Sequence, residues 1–154
     1  MKLRSLSIVA ALALFATAGV TAWGSYSAPR QYYSGWNKSA KHSYYYRDYY
    51  YKPADDYVGY KHQYVMYYPE KPKHYYYYNP YKKVYWGRCP VQTYGKGQYS
   101  ELAEKDRKGS LGDIPEEAFP APAEMPHVPE ATDGVTMDLP PDDLPKDDVP
   151  AETP

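Results

Sequence analysis

From residue 61 onward, aromatic and apolar residues fall into short runs that are separated by turn-forming residues. The runs read KHQYVMYY, HYYYY, VYWGRC and QYSELA, and the breaks between them are PEKPK, NPYKK and a glycine-rich stretch. Short β-prone runs between such breaks are typical of an antiparallel meander. The pattern therefore predicts a small antiparallel β-sheet of about three to four strands within residues 61–102.

Consecutive tyrosines have a simple interpretation on a strand, where successive side chains point to opposite faces. The alternation predicts that Tyr64, Met66 and Tyr68 share one side of the first strand. It also predicts that Tyr76 and Tyr78 share one side of the next. Both faces of such a sheet are aromatic, so one face must stay hydrated or pack against something else, and tyrosine suits either outcome because its hydroxyl tolerates water.

The flanking segments show no comparable pattern. Residues 23–60 contain aromatic clusters without clean alternation or aliphatic partners, and we expect them to be mostly irregular. In residues 103–154 prolines are too dense for a helix or a central strand, and large apolar residues are few. The predicted fold class is therefore mostly irregular with a small antiparallel β-sheet, followed by a disordered, acidic, proline-rich C-terminal tail.

The first 22 residues have the form of a secretory signal peptide, with Lys2 and Arg4 ahead of a short apolar run and small residues. The apolar run is about half of the ~20 residues that a membrane-spanning helix needs. Cleavage is expected before Trp23, with cleavage after Ala18 as the alternative. This predicts a secreted or periplasmic protein of the cell envelope that has no transmembrane segment once the signal is removed.

Charge divides the rest of the chain into two parts, although the net charge is only −1. Residues 23–100 contain twelve Lys and Arg against four Asp and Glu, whereas residues 101–154 contain four against fifteen. All 22 tyrosines lie between Tyr26 and Tyr99. The mature chain is therefore a basic, aromatic body with an acidic tail, and we expect a diffuse, salt-sensitive attraction between them without fixed pairing.

Catalytic patterns are missing from the sequence, which lacks a nucleophile elbow, a glycine-rich phosphate loop and paired carboxylates in an ordered element, so we do not expect an enzyme. His42, His62, His74 and Cys89 lack the short spacing of a metal site, and neither a metal nor another cofactor is predicted. In an exported protein, a lone Cys89 indicates either an intermolecular disulfide or a buried small side chain, and both interpretations stay open.

A basic, aromatic body could contact a polymer, and export argues against an intracellular nucleic acid. Two functions stay open. The first is a structural or interaction protein of the cell envelope whose aromatic strands pair with other copies. The second is a small binding module for an anionic or glycan envelope polymer. In either case, the candidate ligand contacts are aromatic and basic side chains of the predicted sheet: Tyr67, Tyr76, Tyr78, Trp86 and Arg88.

The segments NPYKKVYWGRCP, GQYSELAEKDRKGSLGDIPEEAFP and PPDDLP carry a resemblance to a known group. Together they are similar to tyrosine-rich secreted proteins of planctomycete-type bacteria, over about residues 61–145. That group has no assigned activity, so the resemblance implies an envelope or secreted setting and transfers no functional residue.

Overall fold

The computed structural model describes residues 28–92, 98–147 and 151–152. Within them, eight strands form one sheet, and helical structure is limited to three single turns. The strands are β1 Gln31–Tyr33, β2 Asn37–Ser39, β3 Tyr45–Tyr51, β4 Lys61–Tyr67, β5 His74–Asn79, β6 Val84–Pro90, β7 Ser100–Glu101 and β8 Ala151–Glu152. The 3-10 turns are Glu104–Asp106, Leu111–Asp113 and Glu116–Ala118. The predicted signal peptide lies outside the described residues.

The strand order is β7-β6-β5-β4-β3-β2-β8, and β1 also pairs with β3. Strands β1 to β7 pair in an antiparallel manner, whereas β8 runs parallel to β2. β1 and β2 bind to the two ends of the same edge of β3. Between them, the Ser34 amide donates to the Asp48 carbonyl at 2.9 Å, and the Asp48 amide donates to Ser34 Oγ at 2.8 Å. The two short strands therefore act as one interrupted neighbour of β3.

The predicted meander is confirmed for β4 to β7, but the predicted strand number was too low. Residues 23–60 were expected to be mostly irregular, but β1, β2 and β3 lie there, so this expectation missed three strands. β3 reads YYRDYYY and pairs with β4 along its whole length. Its alternation was hidden because Tyr45, Arg47, Tyr49 and Tyr51 are buried on one face while Tyr46 is buried on the other. Because tyrosines occupy both faces and Arg47 lies on the buried one, the sequence of β3 shows no polar–apolar alternation.

The sheet has two aromatic faces. The front face carries a buried cluster made of Tyr49, Tyr51, Val65, Tyr75, Tyr77, Trp86 and Cys89. The back face carries a second cluster made of Tyr46, Met66, Tyr76 and Tyr85, with Tyr64, Tyr68 and Tyr78 packed against it. The predicted face sharing of Tyr64, Met66 and Tyr68, and of Tyr76 and Tyr78, is thereby confirmed.

The C-terminal strap, defined as residues 102–147, covers both faces. Its first part lies on the back face and buries Leu102, Leu111, Ile114 and Phe119 against that cluster. Tyr99 and Ala123 then exchange backbone hydrogen bonds of 2.8 and 2.9 Å beside β7. The second part lies on the front face and buries Met125, Val128 and Met137.

The position of this strap differs from the prediction of a disordered tail. Prolines do prevent long regular elements here, as predicted. However, apolar side chains recur along the segment, and they pack on aromatic faces of the sheet that would otherwise be exposed to water. Burial of such side chains contributes about 1.5–3 kcal/mol each, which offsets the entropy of ordering the chain.

Fixed ion pairs join the strap to the sheet, contrary to the expected diffuse attraction. Each pair joins a basic residue of the body to an acidic residue of the strap. The pairs are Arg30 with Asp133 at 2.5 Å, Lys61 with Glu130 at 2.5 Å, Arg88 with Glu116 at 2.6 Å and Arg47 with Asp143 at 2.8 Å. The charge division of the sequence is therefore a division between two layers that pack on each other.

Candidate functional site: an open aromatic surface and an adjoining cleft

The strap leaves one part of the back face uncovered. We call this part the open aromatic surface; it consists of Tyr32, Asp48, Tyr50, Tyr60, His62, Tyr64 and Tyr81. Tyr32 is 38% exposed and Tyr81 is 63% exposed, while the other members are half-buried against one another. The surface thus presents ring faces and edges to solvent over several neighbouring strands.

The rings of this surface form a continuous row. Tyr32 of β1 stacks on Tyr50 of β3 with the ring centroids 4.8 Å apart. Tyr50 is followed by His62 of β4 at 5.8 Å, and His62 by Tyr81 of the β5–β6 turn at 5.7 Å. Because neighbouring strands lie about 4.8 Å apart, side chains at matching register repeat at nearly that interval across a sheet. The row therefore runs across the strands rather than along them.

Tyr60 lies beside this row at the end of the sheet. Its ring meets Tyr32 edge to face at 5.0 Å, and the Lys52 ammonium lies 5.0 Å from its centroid. Its hydroxyl donates to the Pro29 carbonyl at 2.5 Å. These contacts from three sides hold the ring in one orientation, and a fixed ring loses little entropy when a ligand packs on it.

A polar pair is set into the aromatic surface. Asp48 Oδ1 lies 3.8 Å from His62 Nε2, and the Cα of Asp48 is paired with that of Tyr64. Burial raises the pKa of the Asp48 carboxyl, and the His62 charge acts in the opposite direction. The pair adds hydrogen-bonding groups to a surface whose other members are rings.

A cleft of about 910 Å³ opens at the same end of the sheet. Strand residues Tyr51, Gln63 and Trp86 line it on the front face, and strap residues Met125 and Val128 line the opposite side. Side chains of the neighbouring loops, namely Tyr57, Tyr60, Tyr81 and Lys82, and Lys61 of β4 also line the cleft. Tyr60 and Tyr81 belong to both features, so the open aromatic surface continues into the cleft.

Most charges around the cleft are paired. Lys61 contacts Glu130 at 2.5 Å, and Arg107 contacts Glu101 at 2.9 Å. The Lys82 side chain is exposed, and within the described residues no carboxylate lies near enough to form an ion pair with it. The cleft is therefore close to neutral, with one available ammonium at its mouth.

Tyr51 supplies a neutral phenol to the cleft wall. The pKa of this phenol is raised to about 12, mainly by burial and secondarily by the negative charge of Glu130, while a hydrogen bond with the Gln63 side chain acts in the opposite direction. At neutral pH the hydroxyl is therefore protonated.

The five predicted ligand contacts do not share a surface. Tyr67 and Trp86 belong to the front face, whereas Tyr76, Tyr78 and Arg88 belong to the back face. Tyr76 is 3% exposed and Arg88 is 9% exposed. The Arg88 guanidinium lies 4.1 Å from the centroid of the Phe119 ring, beneath the strap. Of the five, Trp86 lines the cleft.

The members of the open aromatic surface were missed because they are far apart in the sequence. Tyr32 and Tyr50 lie in the segment that was expected to be irregular, so their strands were not available as a guide. Tyr81 lies in a predicted turn, and only the strand order brings it to the same row. A usable signal was the spacing of Asp48 and Tyr50, which two-residue alternation places on one face of a strand.

Cys89 is completely buried, and burial raises the pKa of its thiol to about 12. It forms no disulfide within the described residues. Of the two interpretations of this cysteine, the structure agrees with a buried small side chain; an intermolecular disulfide would require the front face to open. Among the described residues, no three His, Cys, Asp or Glu side chains are grouped closely enough to hold a metal ion.

Within the described parts of the chain, no helix is long and apolar enough to cross a membrane. The chain matches no protein-family model, no curated protein and no solved structure. The similarity to planctomycete tyrosine-rich proteins therefore stays a resemblance.

Proposed function

We propose that this protein is an exported, non-enzymatic glycan-binding protein of the bacterial cell envelope, and that the open aromatic surface is its binding face. One observation carries the proposal. The strap covers the front face and much of the back face, yet it leaves a continuous row of ring contacts from Tyr32 to Tyr81 in contact with solvent. Exposed aromatic groupings of this kind are typical of interaction sites.

The chemistry of the surface suits a sugar chain. The C–H face of a pyranose ring is apolar and packs on an aromatic ring, while its hydroxyls stay hydrated or form hydrogen bonds. Tyrosine matches both requirements, because it presents an apolar ring with a polar tip. The Asp48 carboxylate can accept a hydrogen bond from a sugar hydroxyl, and His62 can donate or accept one.

A neutral glycan fits better than a polyanion. Arg47 is 2% exposed and Arg88 is 9% exposed, and strap carboxylates already pair with both. Arg30 and Lys61 are likewise paired with strap residues. Four basic side chains of the body, among them the predicted contact Arg88, are therefore occupied within the molecule.

Self-assembly by strand pairing has less support. Among the described residues, β7 and β8 at the two ends of the sheet are two residues long each, and β1, which pairs only with β3, is three residues long. Short edge strands give a neighbouring chain little to pair with. Aromatic contact between copies through the open surface is the remaining route for a structural protein, and the experiment below distinguishes it.

The test is co-sedimentation of the mature chain with insoluble neutral glycans such as cellulose and chitin. The double variant Tyr32→Ala, Tyr81→Ala should lower affinity about tenfold or more, as expected when central aromatic contacts are truncated. Leu144→Ala removes an apolar side chain that is 49% exposed outside this surface, and it should bind as the parent does.

Two results would contradict the proposal. One is unchanged sedimentation of the double variant with its fold intact. The other is the absence of glycan binding by the parent chain. Ligand-free self-association that disappears in the double variant, measured by analytical ultracentrifugation, would instead identify a surface for contact between copies.

A further inference from the structure

The part of the strap that lies on the front face is a compact unit with its own hydrogen bonds. We call this part the front lobe and define it as residues 125–143. The Val128 amide donates to the Val135 carbonyl at 2.8 Å, and the Met137 amide donates to the Pro126 carbonyl at 2.8 Å. These bonds join the lobe to itself, so its shape does not depend on strand pairing with the sheet.

The sheet holds the front lobe through side chains. The Tyr33 hydroxyl donates to the Asp138 carbonyl at 2.7 Å. Trp36 Nε1 and the Tyr75 hydroxyl both donate to the Asp143 carbonyl, at 3.2 and 3.0 Å. Among the described residues, no backbone–backbone hydrogen bond joins the lobe to a strand. β8 follows the lobe and lies at the end of the sheet, so the pairings among β1 to β7 do not require the lobe.

Apolar contacts and charges make the front face specific for this lobe. The lobe adds three buried apolar side chains to the front-face cluster: Met125, Val128 and Met137. Two ion pairs also join the lobe to the body, Arg30 with Asp133 and Lys61 with Glu130, at 2.5 Å each. The front face is therefore a binding site whose occupant is seen, an acidic segment that contains prolines.

We propose that the front face also accepts the front lobe of a second copy of this chain, which gives a domain-swapped dimer. A lobe from a second copy makes the same contacts as the molecule's own lobe, so the exchange needs no new interface chemistry. Residues 120–124 connect the lobe to the first part of the strap, and all five are exposed. Once the backbone pairing of Ala123 with Tyr99 opens, this proline-containing connector can extend over about 15 Å. The lobe and β8 then move together to the partner.

The molecule's own lobe competes with that of the partner. A short connector gives the tethered lobe an effective concentration on the order of 1 mM, so exchange requires a comparably concentrated protein. The inference does not rest on the proposed function, because the open aromatic surface lies on the other face. Exchange should therefore be unaffected by the double variant Tyr32→Ala, Tyr81→Ala, and either proposal can fail without the other.

The experiment uses two variants of the mature chain whose charges conflict within one molecule and agree between two. The body variant carries Arg30→Glu and Lys61→Glu, and the lobe variant carries Glu130→Lys and Asp133→Lys. In a heterodimer with exchanged lobes, reversed body meets reversed lobe and unchanged body meets unchanged lobe. Mixing should raise the dimer fraction in analytical ultracentrifugation about tenfold over either variant alone.

Two controls separate exchange from general attraction between oppositely charged proteins. The first pair of control variants makes the same charge changes at exposed residues that form no ion pair within the described chain: Lys71→Glu with Lys73→Glu, and Glu124→Lys with Asp142→Lys. Mixing these two should not raise the dimer fraction. The second control carries all four changes of the body and lobe variants in one chain, and it should dimerise no more than the parent does.

A further measurement needs no variant to fold. Parent chains with and without ¹⁵N label are incubated together at about 1 mM and joined by a carbodiimide, which couples a carboxylate directly to an amine. Cross-linked Lys61–Glu130 peptides that combine a labelled and an unlabelled partner are expected. Peptides in which both partners always carry the same label overturn the proposal. An equal rise of the dimer fraction in the mixed control variants also overturns it.

Discussion

The back face of the sheet has two parts that are both built largely from tyrosine. The strap covers one of them, and the other is open to solvent. Under the strap, the Tyr85 hydroxyl lies 2.6 Å from the Tyr68 hydroxyl and donates to Met66 Sδ at 3.0 Å. Burial raises the pKa of Tyr85 far above its ordinary value. In the open aromatic surface, Tyr32 and Tyr81 contact neighbouring rings and solvent instead.

The difference between the two parts shows which segments supply the hydrophobic core. Tyrosine alone does not decide whether a face is buried, because the same residue type appears on both parts. The aliphatic groups that complete the covered part come from the strap, in Leu102, Leu111 and Ile114. The strap therefore supplies seven of the twenty buried hydrophobic side chains among the described residues, and its absence from a region marks that region as surface.

Alkaline pH should produce the largest effect, because it acts on many covered tyrosines together. Burial is the main cause that raises the pKa of Tyr51 and of Tyr75 to about 12, and it raises the pKa of Tyr77, Tyr85 and Tyr99 further. Because the folded state holds these protons more tightly, the stabilisation is complete below pH ~10 and is lost as pH rises toward the folded values. Each such tyrosine contributes a fall of about 1.4 kcal/mol per pH unit within that range.

Urea denaturation at pH 8, 10 and 11, followed by circular dichroism, measures this loss. Tyrosinate absorbance should show that the covered phenols ionise together with unfolding. A free energy of unfolding that stays constant to pH 11 would mean that the covered tyrosines are not buried as described.

Truncating the strap side of the core should give the next largest effect. Phe119 is 8% exposed, and its ring packs on Tyr76 with centroids 6.1 Å apart and on the Arg88 guanidinium. Phe119→Ala should lower the free energy of unfolding by about 3–5 kcal/mol. The matched control on the open part is Tyr81→Ala, which should change it by about 0.5 kcal/mol or less. Equal losses in denaturant titrations would abolish the distinction between the two parts.

A smaller effect is expected from the ion pair beneath the strap on the front face. Arg47 is 2% exposed, its guanidinium lies 4.1 Å from the Trp36 ring centroid, and Asp143 Oδ2 accepts from Arg47 Nη2 at 2.8 Å. Asp143→Asn should cost about 1–2 kcal/mol of stability, less than a fully buried pair would, because the Asp143 side chain is 54% exposed. Asp142→Asn is the control and should be near neutral; a comparable loss there would show that general charge balance, and not this contact, is responsible.

The sequence predicted the parts of the fold that depend on local pattern. The turn at Asn79 is confirmed, where the side chain accepts from the Tyr81 and Lys82 amides at 2.9 Å each. The strand faces of Tyr64 and Met66 are also confirmed, because alternation along a strand is a local property.

Features that depend on tertiary packing were not predictable in this way. β3 was missed because tyrosines occupy both of its faces and Arg47 lies on the buried one, so its sequence shows no polar–apolar alternation. The order of the strap depends on faces of the sheet that sequence reasoning could not place beside it, so its few apolar residues looked insufficient. Prediction of the open aromatic surface would have required both the strand order and the path of the strap.

The wrapping of the strap also has a consequence for the time at which the protein can mature. Gly87 packs so closely against Tyr99 that a Cβ at this position would overlap the Tyr99 ring, and the strap departs for the front face at the Tyr99–Ala123 pairing. Arg30 and its partner Asp133 are 103 positions apart in the chain. Such distant contacts are slow to form. During synthesis the aromatic strands emerge first, and both of their faces stay exposed to water until the last third of the chain has been made. The tyrosine-rich half is most prone to aggregation during this interval.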